Sequence, residues 1–143
     1  MLRSRIEKPW EGGIKFVLIG FAGGIGVLLR FVVSGWGQKL APGIFPLGTV
    51  IVNVTGCLLI GILGGVLTGT GLVRDEVRLA LLVGLLGGFT TFSAFGWETA
   101  SLISDGRWAT ASANVLLSNS LGVVAVWIGL RISEPLQQGF IRP

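Results

Sequence analysis

The chain holds 143 residues, 51% of them hydrophobic and 13% charged, with 24 glycines and a formal net charge of +4. Soluble domains carry about 25% charged residues, so this composition excludes an ordinary soluble fold and predicts a membrane-embedded one. The chain has no His, no Tyr and a single cysteine, Cys57, which removes imidazole metal sites, His-based acid–base chemistry, Ser-His-Asp catalysis and an intrachain disulfide.

In chain order, Met1–Gly13 is a polar lead with Arg3, Arg5, Glu7, Lys8 and Glu11. The first span is predicted over Ile14–Val33. Its uncharged centre, Phe16–Leu29, is only 14 residues long, but Lys15 and Arg30 can snorkel toward the interfaces. The polar lead and the lack of an A-x-A-like cleavage site argue against a signal peptide. Gly20, Gly23 and Gly24 give this span a small face for close helix packing. Gly and Pro signals predict a loop over Gly35–Pro46.

The uncharged run Leu40–Val73, 34 residues, holds a second span at Leu47–Leu67, with Gly61 and Gly65 on a similar face. After a loop at Gly69–Arg78, a third span is predicted over Val77–Ile103, around the 19 uncharged residues Leu79–Trp97. A tight connection, Asp105–Arg107, leads to a fourth span, Trp108–Arg131, containing 23 uncharged residues to Leu130. About 20 apolar residues cross a bilayer. The reading is an all-α membrane protein with four transmembrane helices in the plasma membrane, a four-span body at 14–131 and polar tails at 1–13 and 132–143.

Trp10, Trp36, Trp108 and Trp127 fall near span ends and fit an interfacial belt. Eight Lys and Arg lie on the side of the termini, against Arg30, Lys39 and Arg107 on the other. The positive-inside rule predicts cytoplasmic termini, with most of the bias in the tails. These basic groups suit anionic lipid headgroups and are no nucleic-acid footprint.

Gly87-Gly88-Phe89-Thr90-Thr91-Phe92-Ser93-Ala94-Phe95 is ill suited to a simple membrane helix and predicts a break near the middle of the third span. Irregular backbone at membrane depth persists only where it is buried in protein or lines a polar cavity. Phe92 and Phe95 share a helical face, and their electropositive edges suit an anion beside Thr91 and Ser93. Asn53 is either interhelical glue or an amide donor to a passing anion. Glu98 is an intramembrane acid, protonated or bonded to hydroxyls such as Thr99 and Ser101. Arg30 either snorkels or draws anions into a vestibule. Asn114, Ser118, Asn119 and Ser120 form a polar stripe on span four, with Asn114 and Ser118 on one face.

With Gly24-Ile25-Gly26-Val27-Leu28-Leu29-Arg30, Gly48-Thr49 through Val52-Asn53 to Gly56, and Gly84–Phe95 followed by Glu98, the chain resembles the Fluc (CrcB-type) fluoride channels over about Ile14–Arg131. The resemblance implies an antiparallel, dual-topology homodimer with two fluoride pores, or a paired homologous subunit in place of the second copy. It implies pore roles for Asn53, Phe92 and Phe95, and a structural sodium ion held by backbone carbonyls at Gly87 and Thr90. Thr91, Ser93, Ser118, Glu98 and Arg30 complete the expected fluoride path. Ala94 and Gly96 stand where many members carry hydroxyls, which shortens the hydroxyl track. Passive fluoride export is the expected function. The rival reading, a small four-span proton-coupled drug or cation exporter, needs an acid in its first span, where Phe16–Val33 offers only Arg30.

Overall fold

The computed structural model describes residues 9–68 and 71–141, with side chains over 13–68 and 71–139. Arg3, Arg5, Lys8, Arg142 and the Trp10 side chain lie outside the described residues, and with them most of the charge asymmetry. The described residues are all helical apart from short connections, with no strand among them. In order they form α1 (Pro9–Leu40), α2 (Leu47–Leu67), α3 (Asp75–Leu79), a π-helical segment (Ala80–Leu86), α4 (Gly87–Phe89), α5 (Phe92–Ser104) and α6 (Trp108–Ile141). Four stretches are long and apolar enough to cross a membrane: Gly13–Leu40, Leu47–Leu67, Asp75–Ser104 and Trp108–Gly139.

Three helix ends depart from the sequence reading by more than two residues: α1 begins at Pro9, inside the predicted polar lead, and two helices run on past their expected stops. The predicted loop from Gly35 is helical through Leu40, leaving only 41–46 as connection. Backbone in lipid must close its hydrogen bonds internally, so a glycine there is a packing residue before it is a turn signal. Gly37 is buried, and a methyl built on it would lie 3.1 Å from the Cα of Gly48. Gln38 then staples the short loop, donating to the carbonyls of Gly43 and Phe45 at 3.1 Å each.

The predicted C-terminal tail is likewise helical through Ile141, with Pro135 inside the helix. Packing against α2 explains it. Ser133 is 1% exposed and sits against Gly65, while Gln137 Nε2 donates to the Gly65 carbonyl, one of the acceptors left open where α2 ends. Arg131 pairs with Glu134 at 3.0 Å and lies 5.3 Å from the Trp127 ring.

Besides the α1–α2 contact at Gly37 and Gly48, the helices pair closely in two places, α2 with α6 and α1 with the π-helical segment and α4. Both seams are made of glycine, since packing and not the hydrophobic effect drives association in lipid. Gly61 faces Gly129 along α2 and α6. On α1 the packed glycines are Gly23, against Gly84, and Gly26, against Leu85, Gly88 and Phe89. Gly20 and Gly24, predicted for the same face, have nothing within 4 Å. Helical geometry turns them away from the seam occupied by Gly23 and Gly26. A left-handed glycine, Gly106 (φ 72°), makes the tight turn from α5 to α6.

Gly26→Ala is therefore expected to push α1 off the third span, because the added methyl would lie 2.8 Å from the Phe89 amide nitrogen, a backbone atom. The expected loss is about 1–3 kcal/mol, read as lower resistance to denaturant in detergent, whereas Gly20→Ala is neutral.

Candidate functional site

The site is built around two residues that leave helical geometry. Thr90 has ψ 158°, and Thr91 has φ −150° and ψ 113°, between the end of α4 and the start of α5. Thr90 still closes the turn before it, with its amide and its hydroxyl both 3.0 Å from the Leu86 carbonyl. Thr91 does not continue the ladder. Its amide, which an unbroken helix would direct at the Gly87 carbonyl, donates to Asn53 Oδ1 at 2.8 Å, and its carbonyl accepts from Asn53 Nδ2 at 3.0 Å. One carboxamide on α2 thus satisfies both polar groups of a single residue. Of the two readings of Asn53, interhelical bonding is the one these contacts make; its second Nδ2 hydrogen is left for another acceptor.

Arg30 also reaches the discontinuity. Its Nη1 donates to the Thr90 carbonyl at 3.3 Å, a contact that neither expected role, snorkelling or anion capture, had included. Thr91 then caps α5, its hydroxyl accepting from the Ala94 amide at 3.2 Å and lying 3.3 Å from Ser93 Oγ. The N-terminus of α5, with its free amides and positive dipole end, is therefore aimed at the discontinuity.

Two cavities open beside Thr91. One, of about 310 Å³, gathers Asn53, Gly87, Thr90, Thr91, Phe92, Phe95 and Ser118, together with Cys57 and Asn119. The Phe92 and Phe95 rings stand 5.4 Å apart and tilted by 45°. Phe92 is 80% exposed on this chain and Phe95 half-buried. The other cavity, of about 790 Å³, gathers Arg30, Ser93, Glu98 and Thr49 with Ser34 and Trp97. Every residue of the expected fluoride path and sodium site thus lines one of the two, and Thr91 lines both.

The partner of Glu98 differs from the expectation. Thr49 on α2 donates to Glu98 Oε1 at 2.6 Å, while the buried Oε2 has no hydrogen-bond partner among the described residues. Thr99 cannot serve, because its hydroxyl turns back to the Phe95 carbonyl at 2.7 Å. Thr49 was visible in the sequence only as part of the Gly48-Thr49 motif; a helical hydroxyl one turn before Asn53 was the signal. The polar stripe on α6 divides. Asn114, 0% exposed, donates to Thr99 Oγ1 at 2.9 Å and accepts from Ser118 at 3.3 Å, whereas Asn119 and Ser120 are exposed.

Fold and site together define a multi-pass membrane protein with polar groups collected at a discontinuity in its third span. The family model described as CrcB-like protein, camphor resistance (CrcB), matches residues 17–130. The fluoride-specific ion channel FluC of Nitratidesulfovibrio vulgaris is 42% identical over 116 residues, 81% of this chain and 94% of that protein. Its namesake from Desulforapulum autotrophicum is 43% identical over 116 residues, covering 81% and 93%, and that from Geobacter sulfurreducens 42% over 118 residues, covering 82% and 95%. The chain belongs to the CrcB family, whose members are ion channels and not enzymes.

Asn53→Leu removes the acceptor of the Thr91 amide, and an unpaired buried group costs about 1–3 kcal/mol, while the Thr91 carbonyl keeps the first intrahelical bond of α5. The variant is expected to lose folded protein on gel filtration in detergent, and Asn53→Asp, which cannot donate to the Thr91 carbonyl when ionised, to be weakened in the same direction.

Proposed function

We propose that this chain is a fluoride-selective passive channel that lets fluoride out of the cytoplasm and so confers fluoride resistance. The observation that carries the reading is the cavity where Asn53, the paired phenylalanines and the N-terminus of α5 converge. Each offers positive character without a full charge: a spare amide hydrogen, ring edges and a helix dipole. Such a lining attracts a small anion and lets it leave, as conduction requires. The names of the three relatives described above, 42–43% identical, support fluoride as that anion. An inside-negative potential drives an anion outward by roughly 2.3 kcal/mol per charge per 100 mV.

The pore is completed in this reading by a second copy set antiparallel to the first. Phe92 stands open on one chain while its neighbour Phe95 and Asn53 lie behind it, which is half of a channel wall. A paired homologous subunit would serve in the same way.

A structural sodium ion is assigned to the carbonyls of Gly87 and Thr90 from the two copies. These donors fit a hard cation. The Gly87 carbonyl has lost its helical partner to the Asn53–Thr91 bond, and the Thr90 carbonyl keeps one lone pair beside Arg30. Among the described residues no cluster of His, Cys, Asp or Glu competes for a metal. The ion would supply fixed positive charge where two discontinuities meet.

Liposomes holding only this protein are expected to release fluoride quickly on addition of a potassium ionophore while retaining chloride, followed with ion-selective electrodes. Phe92→Ile and Phe95→Ile should slow fluoride release at least about tenfold, the effect of roughly 1.4 kcal/mol on the barrier. Normal release by both variants, or cation uptake driven by protons, would refute the reading.

A further inference from the structure

We propose that Thr99 and Asn114 are positioning residues that hold the Ser118 hydroxyl proton away from the cavity, so that an anion obtains that proton only by breaking the Ser118–Asn114 bond. The inference rests on the anion-channel reading and adds a determinant of how firmly the cavity grips its ion.

The direction of each bond follows from the first. The Phe95 carbonyl only accepts, so Thr99, 2.7 Å away, commits its single proton there. Thr99 Oγ1 can then only accept, which obliges Asn114 to present its NH₂, at 2.9 Å. Asn114 Oδ1 is thereby turned to Ser118, and at 3.3 Å the Ser118 hydroxyl must donate to it. Asn114 is 0% exposed, so no solvent relieves it of this arrangement. The chain runs from α5 to α6 and ends at the cavity wall, where Ser118 joins Asn53, Phe92 and Phe95. Thr99 itself lines a separate groove with Trp108 and Leu116 and has no place in that wall.

Ser118 therefore faces the cavity with lone pairs. An anion that draws the hydroxyl outward strands Asn114 Oδ1 in a fully buried position, and this penalty keeps the grip loose. Loose binding favours throughput, because an ion held hard does not leave.

Thr99→Val tests the chain while leaving Asn114 in place, since deleting a fully buried carboxamide endangers the fold. Without the Thr99 hydroxyl, the Asn114 amide is free to turn its NH₂ to Ser118, which releases the Ser118 proton to the cavity. Fluoride efflux from liposomes is measured against internal fluoride concentration, separating the half-saturating concentration from the maximal rate. Thr99→Val is expected to lower the half-saturating concentration roughly fivefold, the size of one net hydrogen bond, and to lower the maximal rate as well. Thr99→Ser restores the wild-type half-saturating concentration, and Ser118→Ala abolishes the Thr99→Val shift. An unchanged half-saturating concentration in Thr99→Val, or an equal shift in the Ser118→Ala background, overturns the inference alone. A wild-type protein that releases no fluoride overturns the channel reading and the inference with it.

Discussion

The pair of bonds between the Asn53 carboxamide and the backbone amide and carbonyl of Thr91 is the constraint on which the other features of the site depend. An N–H released inside a bilayer has no water to turn to, and left unmet there it costs several kcal/mol. Asn53 Oδ1 meets the N–H that the helix ladder drops, and Asn53 Nδ2 adds a second bond to the Thr91 carbonyl, which already takes the first bond of α5. With that match made, α4 can stop at Phe89 and α5 can restart at Phe92 without orphaned backbone at Thr91.

The consequences spread from there through packing. Because α5 restarts at Phe92, its positive end lies at membrane depth beside the two rings. The Thr91 amide is diverted to Asn53, so it makes no bond to the Gly87 carbonyl, and Gly87 lines the same cavity. The glycine seams keep this arrangement in register. Gly26 and Gly23 bring α1 against the π-helical segment and α4, close enough for Arg30 to reach the Thr90 carbonyl. Gly61 and Gly129 bring α2 against α6, and α6 carries Ser118 to the wall formed by Asn53 and Phe95. The interior polar groups form short directed chains, Thr49 to Glu98 and Ser118 to Asn114 to Thr99, and each chain ties two spans together.

Much of this was legible in the sequence because the bilayer imposes length and composition on each span. The uncharged runs gave four spans, and second and third spans accurate to a residue or two at most of their ends. The helix ends at Leu40 and Ile141 were missed for a common reason: they depend on contacts with other helices. Gly37 reads as a turn residue until Gly48 is found against it, and Ser133 and Gln137 read as a polar tail until Gly65 is found beside them. The motif residues announced themselves as polar groups in apolar surroundings. Their contacts did not, since Thr49, Arg30 and Thr99 reach atoms on other segments or a turn away, and sequence spacing is silent on which side chain turns where.

Taken alone, the sequence determined that the chain lies in a membrane as four helices, that it lacks the side chains of ordinary enzymes, and that Gly87–Phe95 is its unusual segment. Composition and hydrophobic run length suffice for those conclusions because transfer into lipid is a property of each segment by itself. The tertiary structure decided which glycines pack, that Asn53 braces Thr91, that Arg30 holds the Thr90 carbonyl, and in which direction the Ser118 proton points. Those are properties of pairs brought together across the fold, where a hydrogen bond exists only once distance and orientation are both fixed.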